Sequence, residues 1–130
     1  MRVTMRVVAI LCLACLVAAP SFAGGNWSGY LVNSSCYADE ESNVNPTDTL
    51  TYVDRDKDLE IRLCAPNAKT KSFALVQSDG TWFKLDAAGN TKATELVQKT
   101  GKIKDHFPVV VAGEMTKNTL QVTSISARND

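Results

Sequence analysis

The chain has one histidine, two tryptophans, four cysteines and no net formal charge. A lone imidazole, His106, cannot supply the several-histidine ligand set of many zinc sites. Balanced charge lacks the basic excess that drives binding to a phosphate backbone, so no nucleic-acid partner is expected. No apolar run beyond residue 23 is long enough to span a bilayer, so the mature chain is expected to carry no transmembrane segment. Internal repeats and low-complexity tracts are missing too, which removes solenoids and disordered linkers from consideration.

The N-terminus MRVTMRVVAILCLACLVAAPSFA carries Arg2 and Arg6, an apolar run from Val7 to Ala19, and the small-x-small ending Ser21-Phe22-Ala23. That is the three-part build of a signal peptide, residues 1–23, with cleavage expected after Ala23. The run of roughly 13 apolar residues falls short of the about 20 that a membrane span needs. A lipidated Cys15 is disfavoured, because Cys12 stands where the usual recognition sequence has leucine. The mature chain, 24–130, is then one secreted or periplasmic domain with one core, expected as a monomer. Its charge is uneven: Gly24 to Glu60 holds two bases and eight acids, whereas Ile61 to Asp130 holds ten bases and six acids.

Two cysteines remain after cleavage, Cys36 and Cys64, an even count in an oxidising compartment, which points to a disulfide. The alternatives are weaker. Two thiolates do not complete a four-ligand zinc site. A nucleophilic Cys36 would need an electropositive setting, yet Asp39, Glu40 and Glu41 follow it.

Along the mature chain, Asn26 to Asn33 reads as a strand. The stretch 37–60 is acidic, has Pro46 and no sustained period, and reads as a long loop with a short strand at Leu50 to Val53. Phe73 to Val76 and Trp82 to Leu85 flank Asp79-Gly80, a hairpin signal, because glycine accepts the positive φ of a tight turn. In AAGNTKATELVQKTG, Ala93, Leu96 and Val97 share a helical face, with Asn90 expected as N-cap and Gly101 as terminator. FPVVVAGEM and TLQVTSI supply two last strands around Thr116-Lys117-Asn118. Five strands with one helix between the third and fourth is the element order of an OB-like Greek-key barrel in a mainly β chain; an SH3-like barrel is the alternative.

Trp27-x-Gly29-Tyr30-Leu31-Val32-Asn33-x-x-Cys36, then Cys64-Ala65, Asp79-Gly80-Thr81 and Lys84-Leu85-Asp86, form one pattern. It closes on Val109 to Gly113 and on Val122-Thr123-Ser124-Ile125. The pattern resembles a family of small secreted bacterial proteins, OB-like, and spans essentially the whole mature chain. The family has no established activity to carry over. Its members often have further cysteines or histidines near the second cysteine; RLCAPNAKTKS has none, which weakens a metal or redox role.

Candidate chemistry is sparse. Asp54, Asp56 and Asp58 alternate as calcium ligands do, but Leu59 replaces the turn glycine, Ala65 the bidentate glutamate, and Arg55 and Lys57 neutralise the site. His106 beside Asp105 lacks a spaced nucleophile. Trp82 with Lys84, Lys69 and Lys71 is the best candidate for a binding face, an aromatic platform with basic flanks. The expectation is a non-enzymatic binding or envelope-associated module with no catalytic residue and no cofactor. The alternative is an ion-binding stress-type protein using the acidic loop.

Overall fold

The computed structural model describes residues 24–42, 50–103 and 105–129, with side chains of 50–56 excepted. Five strands run β1 (Gly25–Asn33), β2 (Phe73–Val76), β3 (Trp82–Leu85), β4 (Pro108–Thr116) and β5 (Thr119–Ala127). Among the described residues three helices join them: α1 (Ser34–Ser42), α2 (Leu50–Leu63) and α3 (Ala87–Thr100). The sheet closes in a ring, β1-β2-β3-β5-β4, with β4 returning to β1. All neighbours are antiparallel except β3 and β5, which meet in parallel at Lys84 with Thr119 and Leu85 with Leu120. The chain reaches that parallel pairing only through α3 and the β4–β5 hairpin, since parallel neighbours need a long crossover.

Side chains alternate across each strand, so the ring has two apolar faces to satisfy. Leu31, Phe73, Leu75, Leu85, Val109 and Leu120 fill the inside, joined by Ala93 and Val97 of α3. Val32, Ala74 and Val76 point the other way and form a second core with Tyr37, Ile61 and Cys64 of the α1–α2 segment. Strand β2 is consequently buried at all four positions, and its unbroken FALV reads as a two-sided strand rather than an alternating one.

The acidic stretch 37–60 is not a loop: α1 and α2 occupy its described parts, and the short strand expected at Leu50 to Val53 is the start of α2. Asn33 initiates α1, its Oδ1 accepting from Cys36 N at 3.2 Å. The helices were hidden in the sequence because over the described side chains 57–63 α2 buries Ile61 alone, while Leu59 and Leu63 stand 49% and 62% exposed and break the apolar period.

The hairpin at Asp79-Gly80 forms where expected, with Gly80 at φ 86° and its N–H donating to Gln77 O at 2.9 Å. Helix α3 ends on Gly101 as read from sequence, but its N-cap is Asp86, which accepts from Gly89 N, and not Asn90. Asn90 instead accepts from the first amide of β2, Phe73 N, at 3.0 Å, pinning α3 to the sheet. Asp86→Ala is expected to cost about 1 kcal/mol of stability through loss of the cap, read by urea denaturation.

Candidate functional site

Cys36 and Cys64 are bridged, with their Cα atoms 5.5 Å apart and 28 positions between them in sequence. The bridge sits beneath the helices: Cys64 is 1% exposed, and its carbonyl accepts from Asn33 N at 2.8 Å, tying the end of α2 to the end of β1. The hydroxyls of Ser34 and Ser72 hydrogen-bond to each other and join α1 to the approach to β2.

Trp82 lies on the outward side of β3, as its alternation with Phe83 requires, but it is not an open platform. Tyr37 of α1 packs edge-on against it, with ring centroids 5.4 Å apart at 72°, and the indole is half-buried with the second core. Lys84, Lys69 and Lys71 are exposed. Burial pushes the Tyr37 phenol above its ordinary pKa, and the carboxylates of Glu41 and Glu60 push it the same way.

Asp58 is engaged on α2 by Arg62, one turn on, and by His106, whose Nε2 lies 2.7 Å from its Oδ1. Asp54 and Asp56 have side chains outside the described residues. Among the described residues, no three His, Cys, Asp or Glu side chains converge as a metal-binding group. The acid facing His106 is thus 48 positions upstream and not the adjacent Asp105. Tyr30 flanks the imidazole at 5.0 Å, and the Arg128 guanidinium lies 5.9 Å from the Tyr30 ring.

On another side of α2 the Lys57 ammonium lies against Gly80 in the hairpin, so closely that a Cβ there would collide with it. The charged run 54–58 therefore serves at Lys57 and Asp58 as two lateral ties that hold α2 along the ring. The hydrogen bonds from His106 and then Arg62 hold the Asp58 carboxyl below its ordinary pKa. A depressed carboxylate contributes stability above the unfolded value, about pH 4, and loses it as pH falls through the lower folded value. Acid denaturation of Asp58→Asn below that pH is expected to be shallower than that of the parent chain, though modestly, because the pair is half in solvent.

A cleft of about 570 Å³ opens where β1, β4 and β5 meet the start of α3. Its shape comes from a β-bulge. Ala112 pairs with Ser124 and Gly113 with Val122, so Thr123 has no partner in the ladder. Gly113 is obligatory there, because a Cβ would run into the Gln121 carbonyl. Gly25 and Asn26 of β1, Glu114 of β4, Gln121 of β5 and Asp86, the N-cap of α3, are among the residues that line it. Asp86 is held from two sides, Oδ1 accepting from Gly89 N at 2.8 Å and Val122 N at 3.2 Å.

Asp86, Gly113, Val122 and Thr123 stand in the pattern read from sequence, but none of the cleft residues was expected as a site residue. The legible signal was Gly113 interrupting the apolar run VVVAGEM, since a glycine inside a strand pattern marks a bulge or a close approach. Comparison with protein families, curated proteins and solved structures gives no match.

Proposed function

We propose that the chain is an exported, non-enzymatic binding module of OB type, of the small secreted bacterial kind its sequence resembles, and that its ligand occupies the cleft between β1, β4 and β5. Supporting the OB reading are the strand order β1-β2-β3-β5-β4, the parallel β3–β5 pair and the helix between β3 and β4. The signal-like N-terminus and the disulfide fit export.

One observation carries the choice of site. OB rings ordinarily hold ligands on the face of strands 2 and 3, between the loops that follow strands 1 and 4. Here that outer face is filled by Tyr37 and Ile61, and the β4–β5 connection is only Lys117-Asn118, too short to clamp anything. The cleft at the bulge stays open, as does a cavity of about 530 Å³ between Pro66–Ala68 and the end of α3, and of the two the bulge cleft is lined by more side chains able to hydrogen-bond, Asn26, Asp86, Glu114, Gln121 and Thr123. The test is an amide NMR titration of the processed chain with a small-molecule fragment library. Binding fragments are expected to move the Gly25, Gly113 and Thr123 signals. Fragments that move Val76 and Trp82 while leaving the cleft still would contradict the reading.

A further inference from the structure

Among the described residues, the cleft lining contains no lysine, arginine or histidine. Two carboxylates, Asp86 and Glu114, face it without a compensating cation in that lining, which works against phosphate, nucleic acid and acidic ligands alike. The other polar groups are neutral and two-way. The amides of Asn26 and Gln121 each donate and accept, and so does the Thr123 hydroxyl.

We propose that the cleft binds a neutral polyhydroxylated ligand, a saccharide, by mixed hydrogen bonds to its hydroxyls. This rests on the reading of the cleft as the ligand site. A sugar hydroxyl donates to a carboxylate while accepting from an amide, and the lining supplies both kinds of group within one cavity. Asp86 is preorganised for that work. Both of its backbone hydrogen bonds end on Oδ1, so they fix the carboxylate plane without consuming Oδ2. Thr123, which has no register partner on β4 at the bulge, adds its hydroxyl to the lining.

The apolar part of the lining comes from Ala112, Val122 and the glycines Gly24, Gly25 and Gly113. A volume of about 570 Å³ falls within the range of about 300–1,000 Å³ for small-ligand pockets.

The experiment is an amide NMR titration of the processed chain with trisaccharides of glucose, galactose and N-acetylglucosamine, and in parallel with spermidine. At least one trisaccharide is expected to shift Asn26, Gly113 and Thr123 saturably, with spermidine leaving them in place. Gln121→Ala, at an exposed position that folding tolerates, is expected to weaken that binding about five- to tenfold through loss of a two-way amide. Saturable binding of spermidine with none of any sugar would overturn the saccharide assignment and leave the cleft as the site. Shifts confined to Trp82 and Lys84 would overturn both readings. Silence of every probe, with the fragment library also silent at the cleft, would do the same.

Discussion

Replacing Cys36 and Cys64 together by serine is expected to lower the unfolding free energy by about 3–4 kcal/mol on the chain-entropy view, since the bridge closes a loop of 28 positions. The loss should also be uneven. Among the described residues the inner core draws none from α1 or α2, whereas the outer core depends on Tyr37, Ile61 and Cys64. Without the bridge, the described side chains that still hold α2 include Lys57, Asp58 and Ile61, and the helices should come away before the ring opens. The two tryptophans separate these events, because Trp27 packs against the inner core and Trp82 against the outer. In urea, the serine variant carrying only Trp82 is expected to unfold at lower denaturant than the one carrying only Trp27. Coincident transitions would mean that helices and ring form a single cooperative unit whether or not the bridge is present.

Trp82→Ala is expected to cost about 2 kcal/mol, less than a fully buried aromatic because the indole is half-buried. It removes the partner of Tyr37 and opens the outer core beside Val76. Alanine at Lys84, Lys69 or Lys71, all exposed, should change stability by no more than about 0.5 kcal/mol. The contrast separates a structural Trp82 from an aromatic platform. A platform residue would tolerate alanine as readily as the lysines do, and urea denaturation of the four variants distinguishes the cases.

The strands were readable because their physics is local. Phe73 to Val76 and Trp82 to Leu85 are short apolar runs joined by Asp79-Gly80, and the positive φ that Gly80 adopts is what the dipeptide announces. The end of α3 at Gly101 was legible for the same reason. Its beginning was not. Asp86 and Asn90 are both capable caps, and the choice falls to Asp86 because Val122 N and Phe73 N, both distant in sequence, claim one side chain each.

The α1–α2 helices escaped because helical periodicity reports a broad buried stripe, and over its described side chains, 57–63, α2 buries Ile61 alone. Its attachment is by a disulfide, by Lys57 against a glycine turn, and by Asp58 against His106. Charged residues used this way look like a solvated loop or a poor calcium site when only their order is known. The cleft was illegible for a related reason: it is made by the register change at Ala112 and Gly113 and by the approach of Asp86, which bring together residues far apart in the sequence.

The claim on which the account turns is that α1 lies on the outer face of β2 and β3, so that the usual ligand face of such a ring is closed. A nuclear Overhauser measurement between the Tyr37 ring and the Trp82 indole tests it directly. The account predicts clear cross-peaks from centroids 5.4 Å apart, together with slow collisional quenching of Trp82. A missing cross-peak with a freely quenched Trp82 would contradict it and return the β2–β3 face to the solvent.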